Sequence, residues 1–194
     1  MRIVGGEWKS RRLRPPEVGG LRPTSDRLRE ALFDILGPAV AAGGFVDAYA
    51  GTGAVGLEAF SRGARPVVWV EAASAVAALV RANLAAFGAG ADPQAVVMAR
   101  HLPQAVSALA RLPLLRAAGG AQTLFLDPPY DDSTAVERLL RVLDAEGGVL
   151  CPGAQVIAET RWQASLPERV GRWQRQRLHR QGSSQLAFFR AANI

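Results

Sequence analysis

The sequence predicts a single α/β domain built around a mostly parallel β-sheet with helices on both faces. Three observations lead to this prediction. The chain has 194 residues, of which 49% are hydrophobic, and this is enough apolar material for one buried core. Short, continuous apolar segments alternate with helical segments over residues 45–158, as they do in sheets that are buried on both faces. Residues 170–190 instead predict an antiparallel hairpin.

An N-terminal arm and a helix precede the alternating region. Residues 1–20 are predicted to form a basic β-hairpin or arm, because this segment alternates loosely around Gly5-Gly6. The main domain is predicted to span residues 21–194. It opens with a helix that Thr24 or Ser25 can cap, since either hydroxyl can accept a hydrogen bond from a free N–H of the first turn.

The elements of the alternating region follow from apolar periodicity and from glycines that stop helices. The predicted strands are residues 45–49, 67–70, 95–98, 123–126 and 155–158. The predicted helices are residues 54–62, 75–87, 102–112 and 134–143, with Pro103 in the first turn of the third. The closing hairpin is predicted to pair residues 170–179 with residues 185–190.

Four residues stand at or just past the ends of predicted strands, namely Asp47, Gly51, Glu71 and Asp127. The carboxyl ends of parallel strands meet at one edge of the sheet, and ligands of such sheets bind beyond that edge. We therefore expect these four residues to line one crevice.

Positive charge is concentrated near the two ends of the chain. The net charge is +6, and residues 1–14 and 169–180 each carry five basic residues, against one acid in the first segment and none in the second. Such a balance suits a polyanionic partner such as nucleic acid. A GC-rich genome also explains why arginine replaces lysine almost everywhere, but it does not explain where the charge lies. Trp8 and Trp173, which lie among these arginines, could stack on bases or be buried aromatics of hairpins.

Composition argues against several classes of protein and site, and we do not expect a membrane span, a secretory signal or a metal site. No apolar run approaches the roughly 18 residues that a membrane helix needs. The N-terminus lacks the apolar core of a secretory signal. Cys151 is the single cysteine, so it can form neither an internal disulfide nor a cysteine-based zinc site, and His101 and His179 lack metal-ligand spacing. We expect a cytoplasmic protein.

The glycine turn after the first strand fits two kinds of ligand. Gly51, Gly53 and Gly56 satisfy G-x-G-x-x-G, and Glu71 follows Gly51 by 20 residues, as in the dinucleotide fingerprint. A nicotinamide-dependent oxidoreductase is therefore one hypothesis. However, Asp47 stands four residues before Gly51, where it would repel a pyrophosphate. The pattern Asp-x-x-x-Gly-x-Gly resembles the first motif of methyltransferases that use S-adenosylmethionine, a cofactor with a cationic amino group and a sulfonium.

The tetrapeptide Asp127-Pro128-Pro129-Tyr130 follows the fourth strand and favours the methyltransferase hypothesis. It resembles the motif of enzymes that methylate exocyclic amino groups of nucleobases. The lone pair of such an amine is delocalised into the ring, so the amine is a poor nucleophile. The Asp127 carboxylate and the Pro128 carbonyl can each accept an N–H bond, which orients the lone pair and stabilises developing positive charge. The two prolines stiffen the loop, and Tyr130 offers a flat face for stacking on the base.

The resemblance extends along nearly the whole chain. Arg2-Ile3-Val4-Gly5-Gly6, residues 21–33 with the string Arg-Pro-Thr-Ser-Asp-Arg, the glycine turn and the Asp127–Tyr130 loop occur in this order. They resemble the bacterial family that methylates N2 of guanine 966, in the customary RNA numbering, of 16S ribosomal RNA. The resemblance implies a Rossmann-like, class I methyltransferase fold with a seven-stranded sheet, S-adenosylmethionine as cofactor, the small ribosomal subunit as substrate, and a monomer.

The resemblance also implies roles for individual residues. Asp47, Gly51 and Gly53 would hold the methionine part of the cofactor and Glu71 its ribose, whereas Arg22 and Thr24 would close over the cofactor or the target base. The Asp127–Tyr130 loop would hold the guanine, with Asp127 also bordering the cofactor. Arg100 lies where related enzymes carry a short polar residue near the adenine, although a guanidinium cannot accept a bond from the adenine amine. The residues predicted to contact RNA are Arg2, Lys9, Arg11, Arg12, Arg22 and Tyr130.

Three other functions remain open on the sequence. The Asp-Pro-Pro-Tyr loop also serves adenine-N6 methyltransferases of DNA or RNA, and only the family-specific string around Thr24 favours guanine. An NAD-dependent oxidoreductase would not need the loop at all. A catalytically silent RNA-binding protein would bind RNA in a salt-sensitive manner and would be indifferent to Asp127→Ala.

Overall fold

The fold is organised around one β-sheet. A computed structural model describes residues 1–15, 24–129, 132 and 134–192. Its strands are β1 (Gly44–Ala48), β2 (Val67–Glu71), β3 (Ala95–Ala99), β4 (Ala121–Leu126), β5 (Leu150–Arg161), β6 (Arg169–Val170), β7 (Trp173–Gln181) and β8 (Ser184–Ala191). They form one sheet in the order β3-β2-β1-β4-β5-β8-β7-β6.

The sheet topology confirms the predicted fold class. Strands β1 to β5 pair in parallel, and β8, β7 and β6 continue the sheet in antiparallel pairs. The seven expected strands are present, and the two-residue β6 extends the edge by one more. From β1 the chain moves outward to β2 and β3, and it then returns to the other side of β1 for β4 and β5. The reversal between β1 and β4 is the place where such sheets bind ligands.

Helices cover both faces of the sheet, as the unbroken apolar strands require. They are α1 (Asp26–Leu36), α2 (Ala54–Ser61), α3 (Ser74–Ala86), α4 (Ala105–Arg111), α5 (Pro113–Ala117) and α6 (Ala135–Glu146), with a 3₁₀ turn at Gly37–Ala42. The first three helices pack with the N-terminal arm on one face, and the last three pack on the other. Ser25 caps α1 by accepting a hydrogen bond from the Leu28 N–H at 3.2 Å.

The predicted helix over residues 102–112 differs from the structure at both ends. Residues 102–104, including Pro103, form a turn, and α4 begins only at Ala105. At the other end Leu112 is extended, with φ −64° and ψ 116°, and a separate helix α5 starts at Pro113. The ring of a proline disfavours the helical conformation for the residue before it, which explains the break.

The N-terminal arm packs against α2 and α3. Its ends are joined by a bridge between Arg2 and Arg12, and Trp8 is only 5% exposed. The indole of Trp8 stacks on Phe60, with 5.2 Å between ring centroids, and meets Phe87 edge-on at 5.1 Å. Of the two roles left open by the sequence, Trp8 therefore takes that of a buried aromatic. Trp173 is buried as well, at 2% exposed.

A buried charge network ties the arm to α1 and α2. Glu58, on α2, is fully buried and accepts hydrogen bonds from the Val4 N–H at 2.8 Å and from Arg62 Nε at 3.0 Å. Arg29, on α1, is also fully buried, and its Nε lies 3.9 Å from Glu58 Oε2. The same guanidinium donates to the Thr24 carbonyl at 2.8 Å and to the carbonyl of Arg2. Each buried charge thus has partners that offset the cost of removing it from water.

In the part of the chain that the structure describes, no helix is both long and apolar enough to cross a membrane.

Replacement of Trp8 by alanine should lower the free energy of unfolding by about 3–5 kcal/mol, because it empties a packed aromatic site. The exposed neighbour Lys9 provides the control, and Lys9→Ala should change stability by no more than about 0.5 kcal/mol. Urea denaturation followed by circular dichroism measures both. Equal stabilities of the two variants would show that the arm is not part of the cooperative core.

Candidate active site

A cavity of about 660 Å³ opens beyond the carboxyl ends of β1, β2 and β4, where the strand order reverses. Its volume falls within the usual range for small-molecule sites. The predicted site residues that line it are Thr24, Asp47, Gly51, Glu71, Arg100, Asp127, Pro128 and Pro129. The structure thus brings together residues from distant parts of the chain, and the expected single crevice is present. Gly53 lies in the same turn as Gly51 without lining the cavity.

Close packing explains the glycines of the turn between β1 and α2. Gly53 has φ +76°, and a Cβ there would lie 2.9 Å from Val80 Cγ1. A Cβ on Gly56 would lie 2.3 Å from Nε1 of Trp69, whose ring donates to the Gly53 carbonyl at 3.2 Å. A Cβ on Gly51, in contrast, would have no neighbour within 4 Å. The turn is therefore packed tightly on its inner side and open on the side of the cavity.

The carboxyl group of Asp47 holds this turn in place. Asp47 is 2% exposed, and its Oδ2 accepts a hydrogen bond from the Gly56 N–H at 2.7 Å. Burial raises the pKa of Asp47 to about 8, the bond from Gly56 opposes the rise, and the negative charge of Glu71 adds to it. The side chain thus both lines the cavity and fixes the first turn of α2.

Glu71 joins the end of β2 to the same turn. Its Oε2 accepts from the Gly51 N–H and its Oε1 from the Ala73 N–H, both at 2.9 Å. A carboxylate has about four acceptor positions, so Glu71 retains capacity for two hydroxyl donors from the cavity. This is the arrangement that a ribose diol requires.

The Asp127 loop forms the opposite wall of the cavity. The Asp127 N–H lies 3.4 Å from the Ala48 carbonyl and so prolongs the pairing of β1 with β4 by one residue. Pro128 is buried and Pro129 is exposed, so the loop leaves the sheet at this point. Tyr130, the predicted stacking residue, and Arg22 lie outside the described residues.

Past the loop, an ion pair at the N-terminal end of α6 lies close to the end of β1. Arg138 Nη2 lies 2.6 Å from Asp132 Oδ2, and this bond lowers the pKa of Asp132. Arg138 also lies beside Tyr49, whose pKa is raised chiefly by burial. Tyr49 lines the cavity and has φ +62°, a conformation that is rare for residues other than glycine.

Sequence reasoning missed several side chains that line the cavity, among them those of Tyr49, His101 and Arg161. Tyr49 could have been found, because it stands between Asp47 and Gly51 at a strand end. Arg161 could not, because the predicted strand ended at residue 158, whereas β5 continues to Arg161. Arg100 lies at the cavity as expected, and its N–H donates to the Glu71 carbonyl at 3.0 Å.

The basic residues of the arm that are predicted to contact RNA lie in different environments. Arg11 donates to the Ala86 carbonyl at 2.6 Å and lies over the Phe87 ring, 4.4 Å from its centroid, so its guanidinium helps to dock the arm. Arg2 Nε lies 4.0 Å from Asp26 Oδ2, and both Arg2 and Arg12 are exposed, as is Lys9. Contact of these four residues with RNA remains a prediction.

Among the described residues there is no group of three or more His, Cys, Asp or Glu side chains that could hold a metal ion.

Comparison with known proteins relates this geometry to a family. Residues 1–190 match the model of the family described as "Conserved hypothetical protein 95". Ribosomal RNA small subunit methyltransferase D of Escherichia coli K12 is 33% identical over 181 residues, which are 93% of this chain and 83% of that protein. The putative rRNA methyltransferase YlbH of Bacillus subtilis is 31% identical over 171 residues, 88% of each chain.

Solved structures agree with the predicted methyltransferase fold. The putative methyltransferase yhhF from Escherichia coli superposes with a TM-score of 0.78 at 32% identity, covering 98% of this chain and 97% of that chain. An RNA methyltransferase from Salinibacter ruber in complex with S-adenosyl-L-homocysteine has a TM-score of 0.62 at 16% identity, covering 89% and 96%. The second likeness concerns the fold alone. The Rossmann-like, class I methyltransferase fold is confirmed.

The raised pKa of Asp47 predicts a pH dependence of stability. Between pH 4 and pH 8 the folded protein keeps a proton on Asp47 that the unfolded chain releases. The contribution of this group to the free energy of unfolding should therefore fall as pH rises through that window, by about 1.4 kcal/mol per pH unit.

Asp47→Asn removes this titration, so the stability of the variant relative to the wild type should increase steadily from pH 4 to pH 8. Urea denaturation at several pH values measures the difference, and Asp34→Asn, at an exposed position of α1, is the control. A difference that stayed constant with pH would contradict the raised pKa of Asp47.

Proposed function

The chain belongs to the conserved hypothetical protein 95 family, and from this premise we propose that it is a ribosomal RNA methyltransferase that uses S-adenosylmethionine. Its proposed target is the exocyclic N2 of guanine 966 of 16S rRNA in the small ribosomal subunit. Two observations support the target: the relative from Escherichia coli is named for the small subunit, and the Arg-Pro-Thr-Ser-Asp-Arg string resembles the guanine-N2 family. A substrate of this kind places the enzyme in the bacterial cytoplasm, where we expect it to act as a monomer.

One observation carries the proposal: Asp47, Glu71 and the Asp127-Pro128-Pro129 wall line the same cavity. The first two are acidic groups suited to a cationic amino acid and a ribose, and the third is a rigid, oxygen-bearing wall suited to an amine. A methyl donor and a nucleobase can therefore bind on opposite sides of the same cavity. Methyl transfer requires them to be this close together.

The residues of the cavity fit S-adenosylmethionine. Asp47 and the open backbone at Gly51 lie where the methionine part would bind, Glu71 offers two carboxylate oxygens to the ribose hydroxyls, and Arg100 borders the adenine end. Thr24 lies at the rim, where Arg29 holds its carbonyl and its hydroxyl donates to Glu159 at 2.9 Å. When bound, S-adenosylmethionine would supply an electrophilic methyl group on its sulfonium for direct, in-line transfer to the amine, without a covalent enzyme intermediate.

The protein contributes position and charge to this reaction. The Asp127 carboxylate and the Pro128 carbonyl accept the two N–H groups of the target amine, which directs its lone pair into the cavity. The carboxylate also stabilises the positive charge that develops on nitrogen. Because β4 and the two prolines hold these oxygens in place, little reorganisation is needed as the charge develops. Tyr130 would stack on the guanine ring.

The same geometry disfavours an oxidoreductase. A dinucleotide pyrophosphate binds to free N–H groups of the glycine turn and of the helix that follows it. Here Asp47 accepts the Gly56 N–H and Glu71 accepts the Gly51 N–H. Two carboxyl groups thus occupy donors that a pyrophosphate would need, and the negative charge of Glu71 would repel it.

A single assay separates the proposed target from the alternatives. The protein is incubated with labelled S-adenosylmethionine and with small subunits that lack their native methylation, naked rRNA, or DNA. We expect label at guanine N2 in the small subunits only. Label on adenine N6 of RNA or DNA would replace the proposed target by the adenine alternative, and absence of label on every substrate would support a silent RNA-binding protein.

Asp127→Ala should lower the rate of methyl transfer at least about 100-fold, because it removes a preorganised acceptor that acts on the developing charge. The affinity for S-adenosylmethionine, measured by calorimetry, should change little. Asp34→Ala, which removes an exposed carboxylate of α1, is the matched control and should retain the wild-type rate. A near-normal rate for Asp127→Ala would refute the role assigned to Asp127.

A further inference from the structure

We propose that Trp162 and Arg180 form a stacking platform for one unpaired base of the substrate RNA, next to the mouth of the active-site cavity. This inference rests on the proposed function, since it concerns how the same RNA is held. The platform lies outside the residues that the sequence predicts to contact RNA.

The platform stands at the same end of the sheet as the cavity. Asp127 follows β4, and Trp162 follows the neighbouring strand β5, which runs in the same direction. Leu126 pairs with Ala158, so Trp162 lies four residues beyond this pair, or about 13 Å further along the strand direction. Arg161, immediately before Trp162, lines the cavity. A nucleotide close to the target on the same RNA strand can reach across this distance.

The two side chains are already arranged as a stack. The guanidinium carbon of Arg180 lies 4.0 Å from the centroid of the Trp162 ring, and Trp162 is 40% exposed. A base would stack on the indole face opposite Arg180. Aromatic rings and guanidinium planes are groups on which proteins stack single-stranded bases, and the cation–π contact with Arg180 helps to fix the orientation of the indole.

Hydrogen bonds hold the platform in place before any ligand binds. The backbone N–H of Trp162 donates to the Ser183 carbonyl at 3.1 Å, and the backbone N–H of Ala164 donates to the Arg161 carbonyl at 3.0 Å. Gln185 Nε2 donates to the Ala164 carbonyl at 2.9 Å, which fixes the turn after β5 to β8. An ordered platform loses less conformational entropy when a base binds than a mobile one would.

The exposure of Trp162 contrasts with the other tryptophans. The chain has four, and Trp8, Trp69 and Trp173 are 5%, 0% and 2% exposed. Leu178, on β7, is also exposed, at 48%. Scattered exposed apolar residues are ordinary, but here an aromatic ring is stacked with a cation beside the cavity.

The charge around the platform favours nucleic acid. Residues 169–180 contain five arginines and no acid. Arg172 pairs with Asp144 at 2.9 Å and Arg175 lies 3.7 Å from Glu168, whereas Arg180 makes no ion pair within the described residues. A flat aromatic group beside a positive charge matches a base and its phosphate, the two features that every nucleotide carries.

Intrinsic fluorescence tests the stacking directly, because Trp162 is the one tryptophan of the four that solvent reaches appreciably. A short single-stranded RNA of mixed sequence is titrated into the full-length protein. We expect RNA-dependent quenching in the wild type that is absent in Trp162→Phe, whose melting temperature should equal that of the wild type. Arg180→Ala should weaken the binding of RNA, because it removes the cation that packs against the indole, whereas Arg116→Ala should leave the affinity unchanged. Arg116 is exposed and lies on α5, just before β4, at the opposite end of the sheet.

Methylation kinetics on unmethylated small subunits provide the second readout. Trp162→Ala should raise the KM for subunits about tenfold or more, whereas its kcat at saturating subunits should stay within about twofold of the wild type. The KM of Trp162→Phe should lie close to the wild-type value, because phenylalanine can also stack on a base. The affinity for S-adenosylmethionine should not change.

The outcomes separate the platform from the proposed function. Quenching by RNA that depends on Trp162, in a protein that methylates no RNA, would keep the platform and reject the proposed function. Normal methylation with a wild-type KM and no Trp162-dependent quenching would overturn the platform. A raised KM on subunits without quenching by RNA would also overturn it, in favour of contact with a ribosomal protein.

Discussion

The buried hydrogen bond from the Gly56 N–H to the Asp47 carboxyl is the interaction on which the rest of the site depends. It joins the end of the central strand β1 to the first turn of α2 and thereby sets the path of the glycine turn between them. The turn cannot carry side chains on its inner side, because Val80 and Trp69 leave no room for a Cβ at Gly53 or Gly56. Glu71 completes the arrangement from the neighbouring strand by accepting the Gly51 N–H. The open side of the turn thus faces a cavity with two acidic side chains already in place.

A second set of buried charges positions the rim of the cavity from outside the sheet. Glu58 and Arg29 link the N-terminal arm to α1 and α2, and Arg29 also holds the carbonyl of Thr24. The Thr24 hydroxyl donates to Glu159 on β5, so the start of α1 is fixed to the strand that borders the Asp127 loop. The arm, which the basic composition suggested as a surface for RNA, is therefore also part of the packing that shapes the site.

Much of this structure could be predicted from the sequence, because parallel strands buried on both faces are continuous apolar runs and their ends carry the polar residues. That reasoning placed Asp47, Glu71 and Asp127 in one crevice, and the structure brings them together.

The reasoning was incomplete where one local sequence pattern is compatible with two different structures. Pro113 starts a new helix although the apolar periodicity continues past it. The burial of Trp8 depends on Phe60 and Phe87, which are distant in sequence, and no local pattern could reveal them. Arg161 was missed because the length of a strand is set by its partners, here β8, rather than by its own apolar run.

The protonated state of Asp47 has a consequence for ligand binding. With a pKa of about 8, Asp47 carries a proton in most molecules of the free protein at neutral pH. A ligand that brings positive charge into the cavity favours the carboxylate and so displaces that proton into solution. Uptake of such a cofactor is then an exchange of one cation for another, and the heat measured by calorimetry would depend on the ionisation enthalpy of the buffer that receives the proton.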